Sequence, residues 1–120
     1  MRAIRGAVCA ENTKESILEN TTLMLKEIFR ANHIEIEQVV AVTFASTKDL
    51  DAVFPAVAAR SLGLLSASLL CLQSMDVVEA LPYCIRVQVL VDLDIPQSKV
   101  KHVYLGEAQS LRPDLVEGAK

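Results

Sequence analysis

A chain of 120 residues has the length of one ordinary domain, and 52% hydrophobic against 22% charged residues marks it as globular rather than disordered. A net charge of -3 leaves no basic footprint for nucleic acid or an anionic membrane, so partners of those kinds are not expected. A domain this small and this apolar holds more hydrophobic side chain than one core can hide, which points to self-association.

Residues 3–9 are short, apolar and punctuated by Gly6, as a buried first strand would be. Asn12 is read as the opening of a helix, with Glu15 completing a capping box. Ile17, Thr21, Met24, Leu25 and Ile28 then recur at three- and four-residue steps, and Asn32 offers a stop. Residues 39–44 are β-branched and apolar, the pattern of a central strand. A second helix is expected with Asp49 or Asp51 as its cap, Pro55 in its first turn and Gly63 at its end.

A third strand is expected over 66–72, then a connection over 75–81 with room for one helical turn. Residues 84–93 alternate most clearly, with Ile85, Val87, Val89, Val91 and Leu93 on one face and Arg86 on the other. Pro96 ends that run, and 100–105 supply a last strand before an irregular tail containing Arg112-Pro113. The order β-α-β-α-β-β-β predicts an α/β or α+β domain over 1–120, a mixed sheet of about five strands packed by two main helices, with mobility reserved for the tail after about residue 112. Helices on one side leave the other sheet face partly apolar, and subunit association would cover it.

Residues 52–72 approach the length of a membrane span, but Pro55, Arg60, Gly63 and three serines interrupt them. The N-terminus has no apolar h-region, so a cytoplasmic protein is expected. Cys9, Cys71 and Cys84 are odd in number and show no metal-ligand spacing, and His33 and His102 read as surface or packing residues. Neither a metal nor a cofactor is expected. No nucleophile–base pair or Gly-rich phosphate loop emerges from pattern alone.

Six segments carry a resemblance: Ile4-Arg5-Gly6-Ala7, residues 49–56 (DLDAVFPA), residues 71–77 (CLQSMDV), Cys84-Ile85-Arg86-Val87, His102-Val103-Tyr104-Leu105 and Leu111-Arg112-Pro113-Asp114-Leu115. In content and order they resemble the motifs of the small trimeric chorismate mutases across nearly the whole chain. The resemblance implies a homotrimer with a pseudo-α/β-barrel core and clefts between neighbouring subunits. It implies the rearrangement of chorismate to prephenate, the step toward phenylalanine and tyrosine, with no cofactor. A unimolecular pericyclic reaction needs no covalent intermediate and no proton shuttle; the protein holds a compact conformer and stabilises developing charge.

The substrate is a dianion, so cations are the groups the resemblance singles out. Arg86 matches the cation beside the ether oxygen, Arg5 a carboxylate partner and Tyr104 a hydroxyl donor. Phe54 and Ala56 match cleft residues of the neighbouring subunit, with Leu70, Cys71 and Leu111 as further contacts. Arg60 and Arg112 match cations near the entrance and tail. Two positions depart from the family. Ser74 stands where a Glu accepts the ring hydroxyl and orients the catalytic Arg, a loss on the order of 1.5–3 kcal/mol, or roughly ten- to a hundredfold in rate. Val57 replaces a carboxylate-binding Lys, which weakens binding. Asp76 matches an Asp of the family, and Glu79 is a candidate substitute for the missing carboxylate. Two alternatives stand beside an active mutase: a weakened or inactive homologue that binds chorismate or another small dianion, and an imine or enamine deaminase on a similar trimeric fold.

Overall fold

The computed structural model describes residues 1–115. Five strands, β1 (Arg2–Cys9), β2 (Val39–Ser46), β3 (Ser68–Gln73), β4 (Cys84–Val91) and β5 (Val103–Tyr104), form one sheet in the order β3-β2-β4-β1-β5. β4 lies at the centre, antiparallel to both β1 and β2, while β3 runs parallel to β2 and β5 parallel to β1. Two helices, α1 (Lys14–Asn32) and α2 (Ala56–Ser61), complete the mixed α+β domain that the pattern anticipates.

The alternation along β4 decides which side the helices cover. Ile85, Val87, Val89 and Val91 are buried against Ile17, Met24, Leu25 and Ile28 of α1, together with Ile4, Val42 and Phe44 from the flanking strands. Gly6 permits the close approach on β1: a Cβ there would lie 2.9 Å from Ile28 Cδ1 and 3.1 Å from the Val103 carbonyl oxygen. The missing side chain thus lets α1 and β5 both reach β1.

Several local expectations are corrected. Thr13, not Asn12, caps α1, its hydroxyl accepting from Ser16 N–H at 3.0 Å. The Asn12 amide, a donor and an acceptor at once, is used by the loop before α2: it donates to Asp51 Oδ1 and accepts from the Asp51 and Ala52 N–H groups at 2.9 and 3.1 Å. Neither Asp49 nor Asp51 caps α2, whose N-cap is Pro55, with no side-chain cap bond. Asp49 instead accepts from Tyr83 N–H and Thr47 Oγ1, pinning the start of β4 to the loop after β2. Residues 75–81 contain a turn, with Glu79 at φ 67°, and no helix. The last strand is shortened to two residues. Gly63 does close α2, at φ 100°.

The register places Arg5, Ala7, Thr43, Ala45, Leu70, Leu72, Arg86 and Gln88 on the face turned away from the helices. One corner of that face is covered by a 3-10 segment, Gly106–Leu111, which buries Ala7, Cys84, Tyr104 and Ala108 as a second small cluster. The rest is open. Leu70, Leu72, Met75, Val77 and Val78 are all more than half exposed along the β3 side. Of the tail expected to be mobile after about residue 112, Pro113–Leu115 form a 3-10 turn, and residues 116–120 lie outside the described residues.

Candidate active site

Where the 3-10 segment leaves the sheet, a cleft of about 240 Å³ opens between β1, β4 and the C-terminal residues. It is lined by Arg5, Gly6, Arg86, Val87, Tyr104, Leu111 and Arg112. Three arginines therefore converge on a small space whose lining contains no carboxylate. Ala7 pairs with Arg86 on one side and with Tyr104 on the other, so the sheet register alone brings these two side chains to one face.

The cations are differently tethered. Arg112 pairs in a bidentate manner with Asp114, at 3.1 and 2.9 Å, which raises the arginine and lowers the carboxyl. Among the described residues Arg5 and Arg86 have no carboxylate partner. Asp114 pairs with Arg112 and also feels Arg5, but three guanidiniums outnumber it at the open cleft, which favours an anion. Beneath them, burial first, then Cys9, pushes the Cys84 thiol up to about 11, against the opposing pull of Arg86. Cys84 is thus a packing thiol at neutral pH, not a nucleophile.

A second cleft, of about 580 Å³, lies at the other end of the sheet, between the loop after β2, the residues leading into α2, and β3. Phe54, Pro55, Cys71, Leu72 and Lys48 line it, and Phe54 stands 69% exposed at its side. β3 and β1 are separated by two intervening strands, roughly 14 Å in the hydrogen-bonding direction. β4 is nearer, one strand from β3, but Arg86 lies on the face opposite Cys71, and no residue lines both clefts.

The remaining candidate residues lie in neither cleft. Ala56 opens α2 and is buried in the main core, and Pro55 before it is the residue that reaches the cleft. Arg60 is exposed on α2, and Leu70 is half exposed on the open face of β3. Ser74 follows β3, its N–H bonded to Ser46 O at 2.9 Å. Its hydroxyl is buried without a partner among the described residues, in a hollow lined by 75–77 and 80–82 rather than beside Arg86. Glu79 is exposed in the same loop, away from the Arg cleft. Lys48, which reaches Asp76 at 2.8 Å, and Pro55 were not anticipated as cleft residues; no spacing rule marks either.

Comparison with known proteins matches this geometry to a family. Residues 1–115 match the model of chorismate mutase type I. The chain belongs to the type I chorismate mutase family. It is 45% identical over 117 residues to chorismate mutase AroH of Bacillus subtilis, covering 96% of this chain and 92% of that one. It is 44% identical over 117 residues to chorismate mutase AroH of Thermus thermophilus, covering 96% of each. A solved chorismate mutase from Clostridium thermocellum superposes with a TM-score of 0.88 at 42% identity, covering 90% of this chain and 97% of that one. Both clefts of this chorismate mutase family member fall within the matched span.

Proposed function

We propose that the protein is an isomerase that rearranges chorismate to prephenate, at clefts completed by a second copy of the chain in a homotrimer. The observation that carries this reading is the convergence of Arg5, Arg86 and Arg112 with Tyr104 on a cleft lined without a carboxylate. The substrate brings two carboxylates and an ether oxygen that gains negative charge as its C–O bond breaks. Arg5 and Arg112 answer the carboxylates, which act alike in ground and transition state. Arg86, with its planar fork, stabilises the ether oxygen where charge develops.

The missing half supports the oligomer. Phe54 and Cys71 line an apolar cleft out of reach of the arginines of their own chain, and the exposed Leu70, Leu72, Met75, Val77 and Val78 need a cover. A neighbour that packs its β3 edge against the open face brings Phe54 over Arg86 and buries these residues together. Cofactor and metal have no part in this chemistry. Among the described residues no helix is long and apolar enough to cross a membrane, which accords with a cytoplasmic enzyme of aromatic amino acid synthesis.

A weakened mutase is the second reading, favoured by Ser74 and Val57. The Ser74 hydroxyl is buried without a partner among the described residues, and Val57 is half-buried in the first turn of α2, so neither offers charge to a dianion. The test is direct: purified protein, without added metal, should remove chorismate absorbance and yield prephenate. A rate no faster than buffer alone, with chorismate bound, would establish the binding protein instead.

A further inference from the structure

His102 stands immediately before β5 and supplies a bond that the sheet itself does not. β5 pairs with β1 over only two residues, Gly6 with Val103 and Ala7 with Tyr104. The next main-chain donor of β1, Arg5 N–H, is not met by a β5 carbonyl. It donates to Nδ1 of the His102 imidazole at 2.9 Å. A side chain thus supplies the next rung of the ladder, at the residue between Lys101 and Val103 in the chain and directly beside Arg5. From the helical side Asn32 holds the same strand, donating to Lys101 O and accepting from Lys101 N–H at 2.9 and 2.7 Å.

We propose that neutral His102 is the positioning residue of the arginine cleft, holding the Arg5 backbone and the Tyr104 strand in one register. The reading rests on the mutase function proposed above. An imidazole accepts at Nδ1 only when that nitrogen carries no proton, so the bond fixes the Nε2–H tautomer, and protonation abolishes it. The charged groups facing His102 are Arg5 from β1 and Arg112 from the end of the 3-10 segment; α1 presents only the Asn32 amide to this strand. Burial first, then Arg5, then Arg112 lower His102 below its ordinary 6.5, so at neutral pH the acceptor form is the one present. In acid the imidazolium would lose its bond to Arg5 N–H and face two cations. β5 would then part from β1, and Tyr104 would move from the cleft.

The rearrangement itself transfers no proton, and the substrate carboxylates stay ionised above about pH 5. Asp114 lies below its ordinary 3.8, outside the window. An acid limb between pH 5 and 7 that disappears on replacing His102 therefore has His102 as its source. The experiment measures kcat/KM for chorismate from pH 5 to 8 in the wild type, in His102→Asn and in His102→Leu. Asn places a non-titrating amide oxygen where Nδ1 sits. The wild type should lose activity on a limb of roughly tenfold per pH unit beginning below 6.5. His102→Asn should hold near-wild-type activity at pH 7.5 with no limb, and His102→Leu should be reduced throughout with kcat affected. A wild-type profile flat to pH 5, or the same limb in His102→Asn, would overturn the proposal.

Magnetic resonance of the free protein separates this from the reaction. The His102 Nδ1 should be unprotonated at pH 7, and protection of the Arg5 amide should vanish along the His102 titration. If that coupling is found while chorismate is not turned over at any pH, the proposed reaction fails and the positioning role stands. If Arg5 protection is indifferent to His102, the positioning role fails whatever the activity.

Discussion

Arg86 sits where an alternating strand meets chemistry: its neighbours Ile85 and Val87 are buried, and the same pleat turns the guanidinium out toward the cleft. Arg86→Lys keeps the charge and removes the fork, so kcat should fall at least a hundredfold, on the order of 3 kcal/mol, with KM changed much less. Steady-state kinetics with an unfolding curve as control checks this; an equal fall in kcat on loss of fold would show as a shifted midpoint. Ser74→Glu tests whether a neighbouring subunit brings position 74 to Arg86, which its own chain does not. Restoring a carboxylate opposite Arg86 should raise kcat by roughly ten- to a hundredfold, and an unchanged kcat would show that the position does not meet Arg86 in the assembly. Val57→Lys should lower KM with little change in kcat.

Residue-level roles were legible only through motif likeness. The alternation of 84–91 told that Arg86 lies opposite the valine row, but nothing in composition told what it faces. His102 read as a surface or packing residue because a strand's register, and so the proximity of Arg5 N–H to an imidazole 97 positions away, is a property of pairing that one sequence does not display.

At the scale of elements, strands and helices with strong periodicity were legible and their ends were not. α1 follows its apolar stripe, yet its cap passed from Asn12 to Thr13, since the Asn12 amide is engaged by the 51–52 backbone and only the fold brings these together. Asp49 was lost as a cap for the same reason, being bound by Tyr83 N–H. Gly6 is the element-level hinge of the packing. Gly6→Ala would set a methyl 2.9 Å from Ile28 Cδ1 and 3.1 Å from both Val103 O and Val87 Cγ1. The cost should be about 1–3 kcal/mol of stability, read by denaturant unfolding, with β5 displaced from β1. His102 adds a pH dependence of its own. A histidine lowered by folding contributes stability that is present above 6.5 and is lost as pH falls from there through its folded-state value. Thermal midpoints should therefore drop over that window in the wild type and drop less in His102→Asn.

For the whole molecule, composition alone points to association, because 52% hydrophobic residues are more than so small a domain readily buries. The sheet explains the form of that need: one face is filled by α1 and α2, while the other carries Leu70 and Leu72 at one edge and the arginine cleft at the other. Val78, 88% exposed, is among the most exposed large apolar residues, and Leu72→Asp with Val78→Asp should yield monomers without activity. Sedimentation would show the change in mass.

Subunit mixing tests the central claim most directly. Arg86→Ala removes one half of the site and Phe54→Asp, at an exposed position, removes the other. Each variant alone should be inactive. Unfolded together in equal amounts and refolded, they should form mixed trimers in which about a quarter of the clefts take Arg86 from one chain and Phe54 from its neighbour, and activity should return to about that fraction. A mixture as inactive as its components, with mixed trimers present, would contradict a site shared between subunits.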